Sequence, residues 1–241
     1  MKKFGLLGKN ISYSFSQHYF TQKFKDLGLT DYTYEVFDIQ EKKDIPKIFD
    51  IPDLQGFNVT IPYKQEIISH LDELSAEAEK IGAVNTVKIN GMKRKGCNTD
   101  AVGFKNSLLP MLEKQHISAL VLGSGGASKA VSYVLTELDI PHTIISRSGA
   151  NNYQSINQEI VERNLLIVNT TPVGTFPNVN CCPPFPTEFL TSRHLVYDLI
   201  YNPEETQLLR LAREKGAKIQ NGRQMLHLQA EAAWNIWQNN D

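Results

Sequence analysis

Ala119-Leu120-Val121-Leu122-Gly123-Ser124-Gly125-Gly126-Ala127-Ser128 is the stretch that decides the fold. Its first four residues are a short apolar run, the mark of a buried parallel strand. The glycines follow at once, and a helix is predicted from there to about Leu138. Strand, glycine turn and helix in that order form the context of a dinucleotide site. Glycines let backbone N–H groups approach a pyrophosphate, and a helix N-terminus favours its charge. The third position of the usual G-x-G-x-x-G pattern is Ser128 here, in place of Gly or Ala.

Reading outward from this turn, His142-Thr143-Ile144-Ile145-Ser146 is the next strand, and it ends at Arg147. An NAD site carries an acidic residue at this strand end, to bind ribose hydroxyls. Ser146, Arg147 and Ser148 stand there instead. An arginine with two hydroxyls suits a 2′-phosphate, so NADP is favoured over NAD. Further strands are predicted at 165–168, at 194–199 and at 216–220, with an amphipathic helix from Glu204 to Lys215. This alternation argues for a parallel, doubly wound sheet over roughly 119–220.

The first part of the chain is organised around Gly56-Phe57-Asn58-Val59-Thr60-Ile61-Pro62-Tyr63-Lys64. Phe57, Val59 and Ile61 alternate with Asn58 and Thr60, which predicts a strand with one apolar and one polar face. Pro62 stops that strand and suits the first turn of a helix, predicted over 62–69. Lys64 then sits at a corner beyond two hydrogen-bonding side chains, an arrangement suited to a polyol; an edge strand with a solvated lysine is the plainer reading. Ser14 and Ser16 are also spaced two apart, and Ser16 reads equally as an N-cap for a helix from about Gln17. Ala83 to Ile89 reads as a strand, and Asn90-Gly91 as a hairpin turn. Asp100 opens a helix, where a carboxylate can simply favour the N-terminus. Gln229, midway along a final helix over about 224–238, reads locally as an exposed polar residue.

With 241 residues the chain has length for one large or two modest domains. A net charge of −1 suggests no nucleic-acid or membrane-surface partner. The three cysteines, Cys97, Cys181 and Cys182, form neither a disulfide framework nor a zinc spacing, and a reducing cytoplasm fits them. Lys9 and Asn10 end the first apolar run too early for a signal peptide, and no run is long enough to span a membrane.

Taken together, these segments resemble the shikimate dehydrogenase family over nearly the whole chain. The marks are Ser14-Phe15-Ser16, Gly56 to Lys64, Ile81 to Thr86 and Asn98-Thr99-Asp100. They continue with the glycine turn, Asn169-Thr170-Thr171-Pro172, Asp198 to Pro203, and Gly222 to Gln229. The resemblance implies an α/β protein of two domains. Residues 1–100 would form a substrate domain, and residues 101–222 a Rossmann-like NADP-binding domain. The last helix, 223–241, would pack back on the first, with the reaction in the cleft between the domains. It further implies that Ser14, Ser16, Asn58, Thr60, Asn85, Asp100, Tyr201 and Gln229 hold the carboxylate and hydroxyls of shikimate, and that Lys64 and Asp100 are the catalytic pair. Gly123, Ser124, Gly125, Gly126, Ala127, Ser146, Arg147, Ser148, Thr170 and Gly222 would hold NADP. The reaction that the resemblance implies is the reversible NADPH-dependent reduction of 3-dehydroshikimate to shikimate, in aromatic amino acid biosynthesis through chorismate, and it would need no metal. Small molecules are the expected partners, in a cytoplasmic monomer or homodimer.

Two departures from the family pattern stand out. The connection from Arg147 to Leu165 is short, which predicts a nucleotide sheet lacking one strand and weaker discrimination against NAD. Thr175 stands where the family usually has methionine near the nicotinamide. Two alternatives remain: a quinate/shikimate dehydrogenase using NAD or NADP, and a non-catalytic NADP-binding sensor.

Overall fold

The apolar run after Lys2 forms β1 (Lys2–Gly8), which lies between β2 (Tyr32–Asp38) and β3 (Leu54–Val59) and is parallel to both. The computed structural model describes residues 1–11, 15–148 and 150–239, so Ser14 lies outside the described residues. Next to β3 the sheet turns antiparallel, through β5 (Thr86–Asn90) and β6 (Lys93–Cys97), and it ends at the short β4 (Glu73–Leu74). The β5–β6 turn is Gly91-Met92, flanked by the pair Asn90 and Lys93. Gly91 takes φ +60° at its first central position, the glycine site of a type II′ hairpin, one residue on from the expected dipeptide.

Contacts divide the chain into two compact units, Met1–Thr99 with Ala230–Asp241, and Asp100–Gln229. In the first unit β3 is buried on both faces, so the expected polar face is not a solvent face. Leu7, Phe57 and Val59 pack with Ile45, Ile67 and Val87 on one side. On the other side Phe4, Leu6, Phe20 of α1 (Phe15–Asp26) and Tyr34 pack with Ala230, Ala233 and Trp237 of α7 (Arg223–Gln238). The last helix thus returns to the first sheet. Burial of each large apolar side chain here stabilises the fold by roughly 1.5–3 kcal/mol. α2 (Ala76–Ile81) is capped by the Ser75 hydroxyl and stopped by Gly82 in the left-handed region.

The segment after β3 departs from expectation. Residues 61–65 form turns and Glu66–His70 a single 3-10 stretch, where an α-helix was expected over 62–69. The carbonyl of Lys64 accepts from the Val84 N–H at 2.7 Å, which ties this turn to the segment before β5. Tyr63 is buried and donates its hydroxyl to the Ile39 carbonyl, which pins the turn.

The second unit begins with α3 (Thr99–Leu108), most of which belongs to it. Its sheet is all parallel: β7 (Ala119–Leu122), β8 (His142–Ile145), β9 (Leu166–Asn169), β10 (Leu195–Asp198) and β11 (Lys218–Gln220), in the order β11-β10-β9-β7-β8. α4 (Gly126–Glu137), α5 (Gln158–Arg163) and α6 (Gln207–Glu214) connect the strands. Among the described residues this is the Rossmann order without the strand that would lie beyond β8. In place of that strand, the chain after β8 makes one parallel bridge, Ser146 to Asn152, and turns away into α5. Asn157 caps α5 by accepting from the Ile160 N–H.

Candidate functional site

In an open parallel sheet, ligands sit beyond the C-terminal strand ends, where the winding reverses. Here the reversal falls between β7 and β9. Gly123 follows β7 with φ +109°, and its N–H donates to the Ile145 carbonyl. A Cβ there would meet the Thr170 hydroxyl at 2.7 Å. Thr170 itself follows β9, and both its N–H and its hydroxyl donate to the Leu122 carbonyl at 2.8 Å. The glycine turn and Thr170 therefore form one tightly packed ledge that only glycine permits.

α4 starts at Gly126 with Gly125 as its cap residue and no side-chain cap. Ser124 and Gly125 are exposed, and a Cβ on Gly125 would meet nothing within 4 Å. The first amides of this twelve-residue helix are thus available to an anion, with the helix dipole behind them. Ser128, at the anomalous third position, is buried and donates its hydroxyl to the Gly125 carbonyl at 2.6 Å, which closes the first turn. At the neighbouring strand end Arg147 and Ser148 are exposed. Ser146 donates its hydroxyl to the Ser148 carbonyl at 2.6 Å, so its proton is committed within the loop. Burial raises the pKa of Tyr153, and the nearby charge of Arg147 partly offsets this. Glycine cradle, uncapped helix and basic turn fit a dinucleotide phosphate.

Gly222 belongs to the same face. Its N–H donates to the Ile200 carbonyl, and a Cβ there would overlap the Leu199 carbonyl. It holds the chain against the turn that bears Tyr201, which is 39% exposed. Asp100 is buried in the first turn of α3. One turn later, Gly103 lies against Met225 and Gln229 of α7. Gln229 is likewise buried, unlike its local reading, and its amide nitrogen donates to the Leu226 carbonyl.

In the first unit the expected residues meet through a buried polar network. Asn58, 5% exposed, accepts from the Tyr34 hydroxyl at 2.8 Å through Oδ1. Its amide nitrogen donates to the Asn85 carbonyl and to the Thr86 hydroxyl. Both amide protons are thus committed, and Asn58 has only an acceptor to offer a ligand. Tyr34 also bonds to Ser16, which lies in the first turn of α1, and burial pushes the Tyr34 phenol well above its usual range. Asn85 accepts from the Thr99 N–H at 2.7 Å and donates to the Thr99 hydroxyl at 3.0 Å. Sequence reasoning missed Tyr34, Thr86 and Thr99; the one local signal was a tyrosine at an inward position of an alternating strand. Thr60 packs its methyl where a Cβ on Gly8 would fall, and Lys64 is half-buried in the turn after β3.

The second unit defines the class: an α/β protein with a Rossmann-like dinucleotide-binding fold. The profile of the shikimate dehydrogenase substrate binding domain matches residues 6–87. Over 259 aligned residues the chain is 38% identical to the shikimate dehydrogenase (NADP(+)) of Methanococcus maripaludis, covering 98% of this chain and 91% of that protein. It is 36% identical to the enzyme of the same name from Clostridium botulinum, covering 97% and 95%. The crystal structure of shikimate 5-dehydrogenase from Thermus thermophilus in complex with NADP(H) and shikimate superposes with a TM-score of 0.87 at 32% identity, covering 99% of this chain and 94% of that one. The chain belongs to the shikimate dehydrogenase family. Among the described residues, no helix is long and apolar enough to cross a membrane.

Proposed function

We propose that this chain is an NADP-dependent shikimate dehydrogenase, which reversibly reduces 3-dehydroshikimate to shikimate on the route to chorismate and the aromatic amino acids. The observation that carries this is its 38% identity, over nearly its whole length, to an enzyme of that name. The bound nicotinamide supplies or accepts the hydride.

The chain's own residues do the rest. A ketone oxygen that receives hydride develops alkoxide charge, which needs an acid nearby. Lys64 gives that proton in the reducing direction and takes it back in the other. Asp100 is its partner in the proposed catalytic pair. Ser14, Ser16, Thr60, Asn85, Tyr201 and Gln229 bond the carboxylate and hydroxyls of the substrate, and Asn58 contributes as an acceptor. A site built to bond hydroxyls strongly disfavours analogues that lack them. The amides of Ser124 to Ala127 hold the pyrophosphate, while Gly123, whose N–H is committed to the Ile145 carbonyl, allows its close approach; Thr170 and Gly222 line the same ledge, with Ser146 shaping the loop. Arg147 and Ser148 take the 2′-phosphate. In this reading 1–100 with the last helix is the substrate domain, and 101–222 the cofactor domain. In this reading the chain is a cytoplasmic monomer or homodimer that acts on small molecules; three cysteines without a disulfide fit a reducing compartment.

The test is a dehydrogenase assay that pairs shikimate or quinate with NADP or NAD. Fastest turnover with shikimate and NADP is expected. Preference for quinate or NAD would transfer the chain to the broader quinate/shikimate class. No turnover in any pairing, with NADPH still bound, would make it a sensor.

A further inference from the structure

Asp198 ends β10 and is fully buried, yet the chemistry above gives it no task. Its Oδ1 accepts from the Asn169 amide nitrogen and from the Ile200 N–H, each at 3.0 Å. Its Oδ2 accepts from the Thr206 hydroxyl at 2.7 Å. Asn169 ends β9 and is also fully buried. Its own Oδ1 accepts from the Thr171 N–H at 3.0 Å and from the Thr171 hydroxyl at 2.7 Å. Thr206 in turn caps α6 by accepting from the Leu209 N–H. One carboxylate therefore has two arms. One reaches Asn169, Thr171 and Ile200 at the ligand end of the sheet. The other reaches the cap of a helix.

We infer that Asp198 is a positioning residue for hydride transfer, holding the turn of Thr170 and the turn of Tyr201 at a fixed spacing. The inference rests on the roles proposed above for those two residues. Its chemistry lies in what a carboxylate cannot do. It is an acceptor only, so Asn169 must present its amide nitrogen to it and its oxygen to Thr171. A flipped Asn169 would set oxygen against carboxylate and NH₂ against the Thr171 N–H. A neutral amide at 198 can present either atom, so it no longer dictates that orientation. Burial raises the Asp198 carboxyl to about 6, the penalty of keeping a charged group in this place.

The test uses the full chain in the shikimate–NADP assay, with thermal unfolding of each variant. Asp198→Asn and Thr171→Val should each lower kcat by about tenfold or more, with KM for shikimate changed far less. Assayed well above pH 6, where Asp198 stays ionised, Thr206→Val cuts the helix arm alone. It should lower Tm by about 3–8 °C and keep kcat within about twofold. Wild-type kcat in Asp198→Asn would overturn the inference, as would parallel losses of Tm and kcat in all three variants. If the wild-type chain itself shows no turnover, the proposed function fails first and this inference falls with it.

Discussion

The indole N–H of Trp237 donates to the carbonyl of Val87 at 3.0 Å, which fastens the last helix to the middle of the first sheet. The bond is made across Gly56, where a Cβ would lie 2.5 Å from both the indole nitrogen and the Val87 carbonyl. Gly56→Ala should therefore push Trp237 off the strand. Overpacking of this kind costs about 1–3 kcal/mol. A urea titration is the check, and an unchanged midpoint would show that the helix end yields without loss.

Lys64→Ala should lower kcat by about 10²–10⁴-fold, the usual contribution of a positioned proton donor. Shikimate binding, measured by calorimetry, should weaken much less. A variant with near-wild-type kcat would exclude Lys64 as the acid–base group.

Arg147→Ala should raise KM for NADPH by about 10- to 100-fold, as expected for losing a charge-assisted bond to phosphate. KM for dehydroshikimate should stay nearly constant. Since Ser146 has its hydroxyl proton committed to the Ser148 carbonyl, Ser146→Ala should matter less than Arg147→Ala. Equal effects of Arg147→Ala on both substrates would remove the cofactor assignment.

Tyr34→Phe leaves a buried Asn58 oxygen without its donor and cuts the link to Ser16. An orphaned buried acceptor costs about 1–3 kcal/mol. The variant should melt lower and show a raised KM for shikimate, because Ser16 and Asn58 lose their common tether. Loss of Tm with KM unchanged would make the network scaffolding alone.

Two buried histidines make the second unit acid-sensitive. His116 and His194 accept backbone N–H bonds at Nδ1, from Glu113 and Thr191, and use Nε2 toward the carbonyls of Arg193 and Val161. Burial lowers both pKa values. The folded state therefore holds them neutral, while the unfolded chain takes up protons below about 6.5. Their contribution is complete above that pH and declines as pH falls below it. Asp198 has the opposite sign between about 6 and its ordinary carboxylate range, since there the folded state holds the extra proton. The clean measurement is the gap in unfolding midpoint between wild type and His194→Gln. It should narrow from pH 7.5 to pH 5.5; a constant gap would rule the titration out.

The nucleotide unit was legible because its information is local. A four-residue apolar strand, the glycine run and a capped or uncapped helix start are read within ten neighbouring residues. α5 has a local signal too, the Asn157 cap directly before Gln158, but at six residues it is too short for a helical period to stand out. The first unit was harder. Alternation over Phe57 to Ile61 gave the strand but not its surroundings, because the partner of Asn58 is Tyr34 from another strand. The turn at Lys64 was likewise set from a distance, by the Val84 N–H on its carbonyl. Periodicity reports which face a residue occupies; what covers that face is tertiary.

Among the described residues, no strand pairs along the outer row of backbone groups of β8, and the bridge from Ser146 to Asn152 begins to fill it. That flank is a natural grafting point. A segment inserted between Ser148 and Asn152 would find ready hydrogen-bonding groups and would disturb none of the four strands behind it. Cofactor preference could then be rebuilt from outside the sheet, by lengthening one loop and choosing its charges.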